Sequence, residues 1–222
     1  MRVESCGAWF LIMHASFDNK PMKKVIIVLT ALLFALHMQA QDKALLDQIK
    51  TVNGKITSFE ADLSNTLAKS DEKRVQNGTL HYVKPHEFAA QFNTGKYMIV
   101  NEKRIKMDIG IFHGTFRLKD GGNMQALANI FLYGFQGRAQ DLANENNYSL
   151  STKTEGGFHV ITATTTKKRL LGIGYKQVIY KYHTDSLLLK EIVLISYKGS
   201  VDTYTISNVK YNVAVDKNRF QF

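Results

Sequence analysis

Cysteine is almost missing from this chain. The 222 residues contain one, Cys6, and one tryptophan, Trp9. Both fall in the first 21 residues, ahead of a second methionine, Met22. From Met22 the order is a charged start (Lys23, Lys24), a short apolar run from Val25 to Leu36, and a small residue, Ala40, before Gln41. That is the order of an export signal cleaved between Ala40 and Gln41. Residues 1–21 accordingly read as an over-extended start of translation, 22–40 as a signal peptide and 41–222 as the folded domain. On this reading the mature chain has no cysteine, which excludes disulfides, thiol nucleophiles and thiolate metal sites. No cysteine follows the apolar run as a site for lipid attachment. The run itself is about a dozen residues, short of the roughly 20 that a membrane-spanning helix requires.

Other absences narrow the field further. Proline occurs twice, at Pro21 and Pro85, and there is no internal repeat, linker or low-complexity stretch. No glycine-rich loop has the strand–turn–helix frame of a phosphate site; "GIGY" and "GFQGR" lack it. The histidines do not pair at metal-ligand spacing: His81 and His86 are separated by the Pro85 turn, and His113, His159 and His183 are scattered. "YHTDS" brings His183, Asp185 and Ser186 into one short stretch, but triad members meet in space, and Asp and Ser there suit a hairpin turn. Asn77-Gly78-Thr79 fits a glycosylation sequon and equally a turn. The reading is of a non-enzyme without cofactor or metal. The formal charge is +10; without residues 1–40, which hold four basic and two acidic residues, it is +8. For an exported protein this favours anionic surfaces or acidic partners over nucleic acid.

What the chain has in quantity is alternation. "DKALLDQIKTVNGKI" opens the mature sequence with Leu45, Leu46, Ile49 and Val52 at helical spacing, Asp42 as a cap and Gly54 as a stop. The period then changes to two, in "SFEADLSNTLA", "GTLHYVKP", "EFAAQF", "KYMIVN", "RIKMDIGI" and "FHGTFRL". After an interruption it resumes in "YSLSTK", "FHVITATT", "YKQVIYKYH", "SLLLKEIVLIS" and "DTYTISNVKYN", with "RFQF" as a last extended piece. About 10–11 strands with short turns predict one mainly β domain with helices, an antiparallel meander with one face inward.

The interruption is "GGNMQALANIFLYGFQG". Gln125, Asn129 and Gln136 make one narrow polar stripe, and the remaining surface is apolar. A surface helix on a filled core shows a narrower apolar arc. This helix needs apolar surroundings on more than one side, and Gly134 permits a bend before a more polar helix through "RAQDLANEN". A second oddity is "TTTKKRLLGIGY", where Lys167, Lys168 and Arg169 run into Leu170 and Leu171. It reads as a solvated hairpin end or as a basic and apolar tip that touches membrane or a partner.

Taken together, "LLDQIKTVNGKITSFEADLSNT", "GTLHYVKPHEF" and "TISNVKYNVAVDKNRFQF" resemble, in order, the first helix, the "G.L...RP..F" strand and the ending of the periplasmic outer-membrane lipoprotein carrier family, the LolA-like proteins. The resemblance covers nearly all of residues 41–222. It implies an incompletely closed antiparallel half-barrel with an N-terminal helix and a helical lid inserted mid-chain. It also implies an apolar cavity walled by Phe59, Leu63, Leu80, Tyr82, Phe88, Phe92, Met107 and Ile109, with Met124, Leu127, Ile130 and Phe131 as the lid that fills it when empty. Cargo would be acylated lipoprotein or another lipid. The donor would be an inner-membrane complex, the acceptor would lie at the outer membrane, and the carrier would be a periplasmic monomer. Two positions depart from the family. Lys84 stands where an Arg latches the lid, and lacks its planar fork. Ala89 stands where a polar residue is common, which should make the interior less polar. A lipid-sensing regulatory module on the same fold, a paralogue carrying a non-lipoprotein lipid, and a sheet-rich enzyme acting on lipids are the alternative readings.

Overall fold

The computed structural model describes residues 42–109, 112–119, 122–146, 148–165 and 175–222. The signal segment and the tip residues Lys167, Lys168, Arg169, Leu170 and Leu171 lie outside the described residues.

A first helix, α1 (residues 42–54), turns Ile49 fully inward and Leu45 and Leu46 partly so, as its spacing predicts. Six strands follow: β1 (Ser58–Lys69), β2 (Glu72–Val83), β3 (Glu87–Phe92), β4 (Tyr97–Asn101), β5 (Arg104–Ile109) and β6 (Phe112–Arg117). Two helices come next, α2 (Asn123–Gln136) and α3 (Ala139–Asn146). The chain then returns through β7 (Tyr148–Glu155), β8 (Phe158–Thr165), β9 (Tyr175–His183), β10 (Leu189–Ser196) and β11 (Val201–Tyr211). "KSDEKR" is less of a turn than its composition suggests: β1 and β2 run to Lys69 and from Glu72, paired to their ends.

All 11 strands form one sheet, in the order β6-β5-β4-β3-β2-β1-β11-β10-β9-β8-β7, and each neighbouring pair is antiparallel. The first and last strands meet at the centre, and β6 and β7 are the two ends. Among the described residues no ladder joins those ends, so the sheet is open, and α2 and α3 connect one end to the other.

Period-2 alternation puts Phe59, Ala61 and Leu63 of β1, Leu80 and Tyr82 of β2, Phe88 and Ala90 of β3, and Tyr180 and Tyr182 of β9 in one buried cluster with α2. Phe131 of α2 meets Phe88 on β3 and Tyr204 on β11, at ring centroid distances of 5.5 and 5.0 Å. One helix touching strands that far apart in the sheet requires the sheet to curve around it.

Part of the opposite face is covered by the C-terminal segment. "RFQF" is not a strand; Lys217–Phe220 is a short 3-10 helix, started by the Asp216 side chain accepting from the Asn218 amide. It sets Phe220 onto Ala89 and Ile99. Ala89 therefore lies outside the concave interior and does not change its polarity: neighbours in a strand point to opposite faces, and Phe88 holds the inner one.

Candidate functional site

The helix α2 is built in two halves. From Ala128 to Gln136 every residue is buried, whereas Met124 to Leu127 are partly exposed. The buried half is rooted by polar bonds as well as packing. The Tyr180 hydroxyl donates to the Ile130 carbonyl at 2.8 Å, and the Tyr182 hydroxyl to the Gly134 carbonyl at 2.9 Å. Burial raises the pKa of both phenols, so they remain donors. The polar stripe is used up on α3 and on the β2–β3 turn. Gln125 donates to Asn129, Asn129 and Tyr133 donate to the Glu145 carboxylate, and the Gln136 amide donates to the Pro85 carbonyl at 2.7 Å.

Gly134 does not interrupt the helix. It lies inside α2, where a Cβ would come within 2.8 Å of Tyr180 Cε1, so glycine is there to let helix and strand approach. The chain leaves α2 at Gly137, in the left-handed region at φ 67°, and the backbone of α1 at Ile49 sits against it. Lys84 does not reach α2: its ammonium donates to the Gly54 carbonyl at the end of α1, at 2.7 Å. The fastening that the sequence assigned to residue 84 is made by Gln136 and the two tyrosines.

Beside the exposed half of α2 is a cavity of about 750 Å³. Met124, Leu127, Ile130 and Phe131 all line it, and so do Met107 and Ile109 from β5 and Phe112 from β6. The other expected wall residues lie deeper. Leu63, Leu80 and Phe88 border a gap of only about 10 Å³ beneath Phe131 and Phe135. Phe59 and Tyr82 close on Phe135, with ring centroids 5.3 and 5.4 Å away, and Phe92 is buried in the same cluster.

One wall of the cavity is polar. The Thr94 hydroxyl donates to Gln76, the Gln76 amide to Asn65, and the Asn65 amide to one oxygen of Asp202; the Tyr204 hydroxyl donates to the other. All five residues line the cavity, with Arg74 and Lys96 beside them. Burial pushes the Asp202 carboxyl above its ordinary value, against the two donated hydrogen bonds. Sequence reading missed this wall, although the phase of β1 contains the signal. Asn65 falls between Leu63 and Leu67 on the inward parity, a polar residue in an apolar row.

No protein-family model matches the chain. No curated protein matches it. Solved structures do. A DUF1329 family protein from Desulfovibrio piger is 10% identical with a TM-score of 0.44, over 80% of this chain and 95% of that one. A LolA superfamily protein from Nitrosomonas europaea is 10% identical with a TM-score of 0.39, over 79% and 95%. The lipoprotein LppX of Mycobacterium tuberculosis is 17% identical with a TM-score of 0.35, over 79% and 98%. Among the described residues no helix is long and apolar enough to cross a membrane, and no group of His, Cys, Asp and Glu side chains could hold a metal ion.

Proposed function

We propose that this chain is an exported, non-enzymatic carrier that shelters the acyl chains of a lipoprotein or another lipid between an inner-membrane donor and an outer-membrane acceptor. The observation that carries the reading is the cavity of about 750 Å³ walled by Met107, Ile109, Met124, Leu127 and Ile130. Hydrocarbon held in water costs about 0.8 kcal/mol per methylene, so three chains of some 15 methylenes total on the order of 35 kcal/mol and need shelter to travel. At about 30 Å³ for a water-sized group, the cavity holds roughly 25 such groups with α2 in place. Larger cargo requires the exposed half of α2, Met124 to Leu127, to shift, while Ala128–Gln136 stay rooted in the core. Lining the void with Met and Leu offers cargo one apolar surface in exchange for another, so affinity stays modest and the load can be handed on.

Residues 41–222 contain no tryptophan, so Leu127→Trp gives a single reporter in the cavity wall. Titrating it with an acylated peptide should shift its emission to the blue and saturate. Lipid should also extract into organic solvent from protein purified out of the periplasm. An unchanged emission spectrum together with a lipid-free extract overturns the carrier reading.

A further inference from the structure

The cavity is apolar toward α2 and polar toward the β1–β2–β11 end of the sheet, and the polar end carries charges of both signs in a fixed order. Leu67 of β1 pairs with Asp202 of β11 on one side and with Arg74 of β2 on the other. Side chains of directly paired residues share a face, and all three line the cavity. A carboxylate and a guanidinium thus flank one leucine, about 10 Å apart at the backbone from two strand spacings. The long arginine side chain closes part of that distance. Lys96, in the turn just before β4, adds a second cation to the same lining.

The hydrogen-bond chain sets the polarity of the anionic side. Every donor in it points toward Asp202: Thr94 to Gln76, Gln76 to Asn65, Asn65 to Asp202, and Tyr204 to Asp202. The chain ends on a carboxylate whose two oxygens have each accepted one bond and can accept another. Asn65 turns its other amide hydrogen to the Thr203 carbonyl and Tyr204 has donated its one hydroxyl proton, so these side chains offer Asp202 no further donor, and the group it suits is an incoming one. On the cationic side, among the described residues Arg74 is paired only with the exposed Glu72, at 3.1 Å, a surface contact that an incoming anion can replace at little cost.

Resting on the carrier reading above, we infer that the cavity takes a zwitterionic amphiphile of one or two chains: hydrocarbon against Met124, Leu127 and Met107, an ammonium on Asp202, and a phosphate on Arg74 and Lys96. The apolar volume supplies affinity for any chain. The Asp202–Leu67–Arg74 row supplies the choice of head.

The test uses two probes of equal chain length, lysophosphatidylethanolamine and lysophosphatidylglycerol, both phosphodiesters, below their micellar concentrations. They share the phosphate and differ in the ammonium. Wild-type protein should bind the ethanolamine form about tenfold more tightly, the scale of one charge-assisted hydrogen bond. Asp202→Asn, checked for an unchanged melting profile, should bind both alike. Arg74→Gln, at an exposed position, should weaken both probes by a similar factor and keep the preference. Equal affinities in wild type, or a preference that survives Asp202→Asn, overturn the inference and leave the cavity reading standing. If Asp202→Asn does not fold, failure of Arg74→Gln to weaken either probe overturns it. Binding of neither probe by the wild type overturns both readings.

Discussion

Tyr180 reaches across the interior from β9 to donate its hydroxyl to the carbonyl of Ile130 in the middle of α2, at 2.8 Å. Tyr182, two residues along the same strand, does the same one helical turn later at Gly134. The central helix is therefore held on its strand side at two points a turn apart. Tyr180→Phe should cost about 1 kcal/mol, the net value of a buried hydrogen bond whose acceptor keeps its intrahelical partner. The double Tyr→Phe variant should cost about 2 kcal/mol, less any coupling through the shared helix. Urea midpoints at constant slope check both; unchanged midpoints would mean that packing alone fixes the helix.

Gly134→Ala sets two effects against each other. Alanine favours a helix interior over glycine by about 1 kcal/mol. Its Cβ, however, would stand 2.8 Å from Tyr180 Cε1 and 3.1 Å from Ile192 Cδ1, both fully buried. Overpacking of that kind costs about 1–3 kcal/mol, so the clash should win and the variant should melt at a lower temperature. A higher melting temperature would show that Tyr180 has room to move.

Phe88 and Leu127 separate the core from the cavity. Phe88 has no exposed surface and packs on Phe131 and Phe135, so Phe88→Ala should cost about 3–5 kcal/mol, with loss of binding only through loss of structure. Leu127 is partly exposed at the cavity. Leu127→Glu should remain folded and lose acyl-chain binding, because an unpaired carboxylate either stays wet or takes up a proton in an apolar site. Circular dichroism melting beside a binding titration distinguishes the two. A folded Leu127→Glu protein that binds normally would remove the exposed half of α2 from the site.

His81 predicts a pH dependence on the convex face. It is buried near the Phe220 pad, with Glu60 Oε1 at 3.4 Å. Burial first, and then the Arg219 charge, lower its pKa from 6.5, while Glu60 opposes them. The folded protein therefore holds this ring neutral, and below 6.5 the unfolded chain binds the proton more readily. Stability from this site is present above that value and is lost as pH falls through and below it. His81→Gln should flatten the melting temperature over that fall; an equal slope in both proteins would assign the acid sensitivity elsewhere.

The sequence made the strands legible because both requirements of the sheet, alternation and turn chemistry, are local. Leu45, Leu46 and Ile49 revealed α1 in the same way, and the width of the apolar arc revealed that α2 needed walls around it. Depth was not legible. Phe88 and Met107 look alike in an alternating strand, yet one is sealed beneath Phe131 and the other borders the cavity. Which inward residues meet α2 and which meet the void depends on where the helix stops along the barrel. That is set by Tyr180, Tyr182, Gly134 and Gly137, contacts between segments distant in sequence. Ala89 was misassigned for a simpler reason: family likeness outranked parity, although adjacency to Phe88 already placed it on the other face.

The pairing of β1 with β11 has a consequence for the birth of the protein. Asn65 lies opposite Tyr204, so the central seam joins the first strand made to the last. A ribosome or an export channel releases the first strand while its partner is still missing. Until β11 arrives, β1 has one bare flank, the template on which another chain can add itself. The hairpins from β1 to β6 close locally and early, but the seam must wait for almost the whole chain and for a long loop to close, which makes it the slow event of folding. A chain of this topology keeps its seam open longest, and its unfinished form is most vulnerable where the finished one is paired on both sides.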